Sequence, residues 1–339
     1  AVCAEFTTGD FNNYDDVLAF GQDKDVLTIE IEHVNTQALR DLEQAGKKIF
    51  PAPALLDIIK DKGRQKAFYR EHGIPTADFQ LFKDEKALEK ALEKGDWPYP
   101  LVQKTRTAGY DGRGVSVLRS AGDLPEKLLS GPCLAEHLVP VRTELAVIVA
   151  RNERDEVAVY PPVEMDFHPE ANLVEFLICP ARVPALVAAR AEALAERVIR
   201  AFDLYGLLAV EMFWTESGEL LVNEVAPRPH NSGHHTIDSA ATSQFQQHLR
   251  AICNLPLGDT QQLQPAVMVN LLGEPEHSGP VRYEGVEASL AIPGVHVHLY
   301  GKTVTSPYRK MGHVTVTAPR LETALENARR VKEILKVVS

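Results

Sequence analysis

The sequence predicts a chain of α/β and α+β character with three parts. Strands and helices alternate over the first 60 residues, as in half of a doubly wound domain. A glycine-rich and strand-rich segment begins at Trp97, and beyond Gly273 strands dominate before one last amphipathic helix. A chain of 339 residues is expected to form two or three domains. We place them at residues 1–60, 61–272 and 273–339, with a flap or lid around residues 80–135.

Composition excludes several classes of function. A net charge of -11 argues against a nucleic-acid partner, because phosphate backbones are bound by clusters of lysine and arginine. No apolar run approaches the roughly 20 residues needed to cross a bilayer, so no membrane partner is expected. The cysteines, Cys3, Cys133, Cys179 and Cys253, form no CxxC pair. This spacing favours free thiols in a reducing compartment, and we expect a cytoplasmic protein.

The amino-terminal part contains the first candidate ligand contacts. Residues Asp25–Glu32 are predicted to form a parallel strand, which is followed by a helix over Thr36–Ala45 and a strand at residues 48–50. Ligands in such sheets lie at the carboxyl ends of the strands, where Glu30 and Glu32 fall. The alternative is that both carboxylates only solvate a loop.

Apolar spacing and capping residues predict the main helices. They are expected at residues 55–72, 84–94, 182–202, 239–253 and 321–338. The first carries Lys60, Lys62, Arg64 and Lys66.

A lysine precedes a glycine-rich loop near the start of the second part. Residues Tyr99–Lys104 form a predicted strand that delivers Lys104, and Val115–Leu118 form the strand after the loop. The loop TRTAGYDGRG can cover phosphates with its backbone N–H groups. Glycine hairpin turns are the common alternative, and the absence of GxxxxGK[ST] excludes a P-loop.

Two further strands carry acids. Cys133–Leu138 brings Glu136 to a place suited to hydrogen bonding with an adenine edge or ribose hydroxyls, although a plain edge strand fits equally well. The strand at residues 144–150, which starts with Glu144, is strongly apolar and is expected at the centre of a sheet.

A hairpin carries the candidate metal ligands. Residues 206–214 and 219–223 are predicted strands around a turn at residues 215–218, with Glu211 on one arm and Asn223-Glu224 ending the other. A buried lone carboxylate costs several kcal/mol unless it is paired or binds a metal. Two carboxylates and an amide oxygen suit Mg²⁺, which prefers oxygen ligands and shares them with phosphates. The alternatives are an unrelated pair of acids and a strand that ends in a polar turn.

Anion-binding side chains follow this hairpin and recur near the carboxyl terminus. Arg228, His230 and Asn231 come within a few residues of the metal-type residues, next to two stiffening prolines. His230, His234 and His235 lack the spacing of a zinc site, because adjacent residues in an extended segment point in different directions. The loop from Gly301-Lys302 through Arg309-Lys310 to His313 places several cations near one another, as a phosphate monoester requires.

Together these residues resemble the ATP-grasp arrangement. The segments TRTAGYDGRG, NEVAPRPHNSGHH, TSQFQQHLRAI and HLYGK with RKMGHVTV are similar to the ATP-dependent N5-carboxyaminoimidazole ribonucleotide synthetase family, from about residue 1 to the end. The resemblance implies an ATP-grasp fold and the reaction of ATP, bicarbonate and 5-aminoimidazole ribonucleotide to the N5-carboxy product, ADP and phosphate, in purine biosynthesis. It also implies a homodimer and one or two Mg²⁺.

The resemblance assigns expected roles to residues. Glu211, Glu224 and Asn223 would bind metal, and Arg228, His230 and Asn231 would act on bicarbonate. Glu30 or Glu32, with Glu32 favoured, would contact the imidazole, and Tyr110, Arg113, Lys302 and Arg309 the ribonucleotide phosphate. The expected ATP contacts are Lys62, Lys104, Gly109, Tyr110, Asp111, Gly112, Arg113, Gly114, Glu136, His137, Leu138, Val139, Glu144, His168, Asn223 and Glu224.

One departure from the family concerns the amino terminus. Family members begin with a strand and a GGGQLG-type loop, which this sequence lacks, so we expect a truncated first domain missing about one βαβ unit of roughly 30 residues.

Three rival functions share these features. One is the related ATP-grasp reaction that uses formate on glycinamide ribonucleotide, and another is a biotin carboxylase-like reaction. The third is a non-catalytic protein that binds Mg-ATP.

Overall fold

The structure, a computed structural model, describes residues 3–107, 114–167 and 174–339. Helices and strands alternate in the first part of the chain and strands dominate later, which confirms the predicted α/β and α+β class.

The amino-terminal part is a small parallel sheet packed against helices. Its elements are α1 (Tyr14–Gly21), β1 (Val26–Thr28), α2 (Thr36–Gln44), β2 (Lys48–Phe50) and α3 (Pro53–Ile59). Leu27 of β1 pairs with Ile49 of β2, and both side chains join one apolar core. The predicted strand at residues 25–32 was too long. It ends at Thr28, so Glu30 and Glu32 lie on the loop beyond its carboxyl end.

The helix predicted over residues 55–72 is in fact two helices, α3 and α4 (Lys62–Glu71). Asp61 separates them, because its carboxylate accepts hydrogen bonds from the backbone N–H groups of Gly63 and Arg64 and so caps α4. Lys62 therefore begins a new helix, and Lys66 follows one turn later on the same face.

A four-stranded antiparallel sheet follows. Its elements, with the helices beside it, are β3 (Phe79–Phe82), α5 (Glu85–Lys94), β4 (Leu101–Thr105), β5 (Val115–Leu118), α6 (Leu124–Lys127) and β6 (Cys133–His137). The strand order is β3-β6-β4-β5. Lys104 pairs with Leu134, two residues before Glu136, so Lys104 and Glu136 share one face of the sheet.

The rest of the described chain contributes one large sheet, two small two-stranded sheets and several helices. The strands are β7 (Val141–Arg151), β8 (Val157–Val159), β9 (Val163–Phe167), β10 (Val174–Cys179), β11 (Gly206–Thr215), β12 (Leu220–Ala226), β13 (Ala266–Leu272), β14 (Gly279–Pro280), β15 (Arg282–Glu284), β16 (Val295–Leu299), β17 (Val304–Thr305), β18 (Lys310–Thr317) and β19 (Lys336–Val338). The helices are α7 (Ala185–Ala201), α8 (Thr236–Ser239), α9 (Gln244–Ile252), α10 (Val286–Leu290) and α11 (Leu321–Ile334).

The large sheet continues across the boundary expected between the second and third parts. Its order is β12-β11-β7-β9-β10-β13-β18-β16, with β8 paired to β7. β13 ends at Leu272, and β18 lies beside it although it follows the expected boundary at residues 272/273. The two parts therefore share one sheet, and the exact boundary remains a prediction.

Three helices differ from their predicted extents. Residues 239–253 form the end of α8 and the whole of α9, because Ser243 starts α9 through a capping box with Gln246. The last helix stops at Ile334, and β19 then pairs with β15. The alanine-rich helix begins at Ala185, after Pro184.

No helix in the described ranges has both the length and the apolar character required to cross a membrane. All four cysteines are free, with Cys133 and Cys179 buried and Cys3 and Cys253 exposed.

Candidate active site

A β-bulge shapes the candidate metal site. Glu211 of β11 pairs directly with Glu224 of β12, whereas the next residue, Met212, pairs with Val222. Asn223 is therefore the extra residue of a bulge. Without it, Asn223 and Glu224 would point to opposite faces of the sheet. Instead both are half-buried between the buried Val222 and Val225, so both reach the same cleft.

Two lysines from the neighbouring layer hold these side chains. Lys62, the first residue of α4, forms an ion pair with Glu224. Lys104, near the end of β4, donates a hydrogen bond of 2.8 Å to Oδ1 of Asn223. The structure thus brings together four predicted ATP and metal ligands from three separate elements.

The two paired carboxylates differ in electrostatic environment. The charge of Lys62 lowers the pKa of Glu224 to about 2, although burial opposes this shift. Glu224 keeps 40% of its side chain accessible, so it lies in an open cleft with protein on several sides. Burial raises the pKa of Glu211 to about 8, and the charges of Glu224 and Glu144 add to the effect. Burial also raises the pKa of Glu144 to about 7.

The donor set fits a magnesium ion shared with phosphates. Two carboxylates and one amide oxygen supply only part of an octahedral shell, which leaves places for phosphate oxygens and water. Among the described residues there is no group of three or more histidine, cysteine or acidic side chains arranged to hold a metal. The site therefore lacks the all-protein cage of a structural metal centre.

Glu136 has a role that the sequence did not predict. Its side chain is only 3% exposed and lies between Lys104 at 2.8 Å and Lys66 at 2.7 Å. Both lysines enclose this carboxylate, and its expected hydrogen bonding to an adenine edge or to ribose stays a prediction. Lys66 was not singled out, although its place one turn after Lys62 could have indicated it.

The segment after Glu136 leads away from these lysines. His137 ends β6 and stacks on Trp97, with ring centroids 4.4 Å apart. Leu138 and Val139 follow as half-buried residues. They lie beside the strand that carries Lys104, since Leu138 donates its N–H to the carbonyl of Pro100. Their predicted contacts with ATP stay predictions.

The bicarbonate-side residues follow directly after β12. The Nε of Arg228 donates a hydrogen bond of 2.8 Å to Glu32, so two residues assigned to different substrates contact each other. Nε2 of His230 lies 3.5 Å from Glu211. Asn231 and Asn270 exchange hydrogen bonds of 2.7 and 3.1 Å through their amides. Asn270 was not predicted.

Gln244 fixes the backbone of His230. Its amide accepts a hydrogen bond from the N–H of His230 and donates one to the carbonyl of the same residue, at 2.9 and 2.8 Å. A side chain on Gly233 would collide with Gln244, since a Cβ atom there would lie 2.4 Å from its Oε1. Burial lowers the pKa of His230 to about 3, so the imidazole is neutral at pH 7.

The histidines after His230 point to separate partners. Nδ1 of His234 lies 2.9 Å from the amide nitrogen of Gln244, and Nδ1 of His235 lies 2.9 Å from the hydroxyl of Ser239.

The carboxyl-terminal cations approach the site from β18 and its preceding loop. Lys302 donates a hydrogen bond of 2.7 Å to the carbonyl of Lys310, and Arg309 donates one of 2.6 Å to the carbonyl of Val304. The charge of Lys310 opposes the rise in the pKa of Glu211 and contributes to the lowered pKa of His230, which places Lys310 close to both. The sequence placed Lys310 among the clustered cations of this loop but assigned it no role of its own.

Glu30 lies near this carboxyl-terminal loop. Burial raises the pKa of Tyr300 to about 12, and the charge of Glu30 contributes to the shift. Tyr300 also lies next to Lys302, whose ammonium is 5.8 Å from the ring centroid.

Several predicted residues lie outside the described ranges. They are Gly109, Tyr110, Asp111, Gly112, Arg113 and His168. Gly114 is described, and its carbonyl accepts a hydrogen bond of 2.9 Å from the N–H of Thr105.

Three family descriptions match the chain along most of its length. They are the "ATP-grasp domain" at residues 67–245, the "Phosphoribosylaminoimidazole carboxylase C-terminal domain" at residues 266–327 and the "Ribonucleotide synthetase preATP-grasp domain" at residues 1–60.

Proteins of two names are similar in sequence. The phosphoribosylaminoimidazole carboxylase of Ogataea methanolica is 41% identical over 91% of this chain, and the chain spans only 58% of that relative. The N5-carboxyaminoimidazole ribonucleotide synthase of Synechococcus elongatus is 39% identical to this chain. The match covers 86% of this chain and 73% of that relative.

A solved structure is similar over nearly the whole chain. It is the N5-carboxyaminoimidazole synthase of Aspergillus clavatus in complex with ADP and 5-aminoimidazole ribonucleotide, which is 35% identical. The TM-score is 0.88, over 98% of this chain and 87% of that one. The predicted ATP-grasp fold is confirmed, and the chain belongs to the N5-carboxyaminoimidazole ribonucleotide synthase family of ATP-grasp proteins.

Proposed function

We propose that this chain catalyses the ATP-dependent carboxylation of 5-aminoimidazole ribonucleotide by bicarbonate, a step of de novo purine (IMP) biosynthesis. One observation carries the proposal. The strand that presents Asn223 and Glu224 to the phosphate side continues within a few residues to Arg228 and His230, and His230 lies 3.5 Å from Glu211. A metal-phosphate site and an anion site therefore adjoin, as transfer of a phosphoryl group to bicarbonate requires.

On the ATP side, Lys62 and Lys104 would neutralise the α- and β-phosphates. Both ammonium groups already lie at the metal-binding residues, with Lys62 on Glu224 and Lys104 on Asn223. His137, Leu138 and Val139 would border the adenosine. Glu144 and Gly114 would also contact ATP. Gly109 to Arg113 and His168, which lie outside the described residues, would do so as well.

Glu211, Glu224 and Asn223 would hold one or two Mg²⁺. The ion supplies charge neutralisation on the phosphate oxygens during transfer. The protein's part is to present the carboxyl groups of Glu211 and Glu224 and the amide oxygen of Asn223 on one side of the cleft, which the bulge at Asn223 achieves.

Bicarbonate is a poor electrophile and must first be activated. One of its oxygens attacks the γ-phosphorus, the bond to the bridging oxygen of ADP breaks, and carboxyphosphate forms. The ribonucleotide amine then attacks the carboxyl carbon of carboxyphosphate, or of CO₂ released from it. Phosphate leaves and the amine loses a proton. Arg228, His230 and Asn231 would hold the anion, since a guanidinium fork suits a carboxylate and a neutral imidazole donates or accepts without adding charge.

On the ribonucleotide side, Lys302 and Arg309 would hold the phosphate, with Tyr110 and Arg113 from the loop outside the described residues. Glu32 or Glu30 would contact the amino-imidazole. In support, Glu32 contacts Arg228, and Glu30 lies near Tyr300, whose ring lies beside Lys302.

An ADP-release assay with defined substrate pairs tests the proposal. We expect turnover that requires both bicarbonate and 5-aminoimidazole ribonucleotide. Turnover with formate and glycinamide ribonucleotide, or with bicarbonate and biotin, would assign the chain to a rival reaction. Tight Mg-ATP binding without turnover on any pair would favour a binding protein.

A homodimer and a cytoplasmic location belong to the same proposal. Sedimentation of the purified chain checks the first, and fractionation of its native cells checks the second.

A further inference from the structure

Lys66 is a buried lysine that the proposed reaction does not use directly. It lies on α4, and only 3% of its side chain is exposed. Its ammonium lies 2.7 Å from Oε1 of Glu136 and donates a hydrogen bond of 2.5 Å to the hydroxyl of Thr76. The contact with Glu136 is an ion pair whose angle departs from hydrogen-bond geometry. Lys66 thus has protein partners and almost no access to a ligand.

The contacts of Lys66 continue in two directions and meet at the bulge. Through Glu136 they reach Lys104 at 2.8 Å, and Lys104 donates to the amide oxygen of Asn223 at 2.8 Å. Through Thr76 they reach the carbonyl of Val222, which accepts the threonine hydroxyl at 2.6 Å. Val222 directly precedes Asn223, so the two branches close into a ring, which we call the Lys66 ring.

The Lys66 ring joins α4 and the four-stranded sheet to the edge of the large sheet. It contains one residue of α4, one residue each of β4 and β6, the loop residue Thr76, and the bulged end of β12. The N–H of Val222 also donates to the carbonyl of Pro75 at 2.7 Å, so both backbone groups of Val222 bond to the same loop. The outer edge of β12 is therefore held at the residue before the bulge.

The charge of Lys66 matters as well as its volume. One buried carboxylate serves two ammonium groups, and removing either partner leaves a buried charge without full compensation. Burial lowers the pKa of Lys66 to about 8, with Glu136 opposing the shift. An apolar residue of the same length would leave Glu136 free to draw Lys104 away from Asn223.

We propose that Lys66 is a positioning residue for phosphoryl transfer, which sets Lys104 and the bulge at Asn223 in fixed relation through Glu136 and Thr76. This inference rests on the proposed ATP-dependent function. Lys66 acts through residues that would contact phosphate and metal, and displacements of about 1 Å in such residues can cost on the order of 100-fold in rate.

The test compares Lys66→Met, which keeps the length but removes the charge, with Thr76→Val and with the double variant. For each single variant we expect a fall of about 10- to 100-fold in kcat/KM for ATP, with a higher KM for ATP and a higher Mg²⁺ concentration at half-maximal rate. KM for the ribonucleotide should not change. Because both residues belong to one ring, the double variant should be no worse than the more severe single variant.

Two further variants serve as comparisons. Lys66→Arg keeps a positive charge between Glu136 and Thr76 and should recover part of the lost kcat/KM. Lys127→Met removes an exposed ammonium that pairs with Asp123 one turn away, and its kinetics should match those of the unchanged chain.

A lower melting temperature with unchanged KM for ATP and unchanged Mg²⁺ dependence in Lys66→Met would show a purely structural role and overturn the inference. Should Lys66→Met fail to fold, Thr76→Val decides, and unchanged kinetics in that variant overturn the inference as well.

Failure of the proposed function would look different. The unchanged chain would then release no ADP with bicarbonate and the ribonucleotide. In that case calorimetry of ATP binding in the presence of Mg²⁺ would test the positioning role of Lys66. A tenfold weaker affinity in Lys66→Met would support it, and equal affinities would overturn it.

Discussion

Glu211 and Glu224 lie opposite each other on neighbouring antiparallel strands, yet their carboxyl groups hold protons very differently. Lys62 lowers the pKa of Glu224 to about 2, whereas burial raises the pKa of Glu211 to about 8. At pH 7, Glu224 is therefore ionised while Glu211 is mostly protonated, which limits the repulsion between them.

The first prediction concerns this pair. Glu224→Ala should abolish ATP turnover, because it removes a phosphate-side ligand and leaves Lys62 buried without its partner. We expect a loss of at least about 100-fold in ADP release. Glu216→Gln changes an exposed acid in the turn of the same hairpin and should be neutral. Activity of Glu224→Ala at ordinary Mg²⁺ concentrations would rule out the ligand role.

The second prediction concerns Arg228 and Glu32. Arg228→Lys keeps the charge but loses the planar fork, so kcat/KM for bicarbonate should fall roughly 10- to 100-fold. Glu32→Gln should raise KM for the ribonucleotide. Because the two side chains contact each other at 2.8 Å, the combined effect should depart from additivity. Strictly additive losses in the double variant would mean that the contact has no part in catalysis.

The third prediction concerns the phosphate of the ribonucleotide. Lys302→Ala should raise KM for the ribonucleotide by about 10- to 100-fold, the value of one or two charge-assisted hydrogen bonds, and leave KM for ATP alone. Lys336→Ala, which removes another lysine of the carboxyl-terminal part, is the matched control. An unchanged ribonucleotide KM in Lys302→Ala would place the phosphate elsewhere.

The fourth prediction concerns stability against pH. Burial lowers the pKa of His248 to about 4, and Nε2 of His248 lies 2.8 Å from the hydroxyl of Thr28. Above about pH 6.5 neither the folded nor the unfolded chain protonates this residue. Between about pH 6.5 and pH 4 only the unfolded chain protonates His248, so the free energy of unfolding decreases by up to about 1.4 kcal/mol for each unit by which the pH is lowered. Below about pH 4 both forms are protonated and the contribution of His248 no longer changes.

Denaturant unfolding of His248→Gln across this range measures the effect. The difference in unfolding free energy between the variant and the unchanged chain should be constant above pH 7 and move in favour of the variant towards pH 4. A difference independent of pH would contradict the lowered pKa.

Strand and helix periodicity predicted much of the fold. The strand at residues 115–118 has the predicted limits, and β6, β11 and α5 differ from theirs by one residue or two. The predicted helix limits were wrong where a polar residue ends one helix and caps the next. Asp61 and Ser243 each cap a new helix inside a segment whose apolar spacing continues, and the pattern alone does not show the interruption.

The residues of the candidate site were likewise predicted only in part. Residue type and spacing pointed to Glu211, Asn223, Glu224 and Lys104, and the family resemblance added Lys62. The structure brings these five residues together. Glu136 was assigned to the nucleotide, because nothing local shows that two lysines enclose it. Lys66 and Lys310 were noted in the sequence but given no role, since nothing local shows which residues of other elements they contact.

The sequence by itself determined the chemistry available to this protein: which carboxylates, lysines and anion-binding groups exist, and which lie at strand ends. Only the tertiary structure decided that Asn223 and Glu224 face the same side. That outcome depends on a bulge, which is a property of the register between two strands and not of either strand alone. It also decided which side chains Lys62 and Lys104 bind, because contacts between residues more than 100 positions apart form only when separate layers pack together.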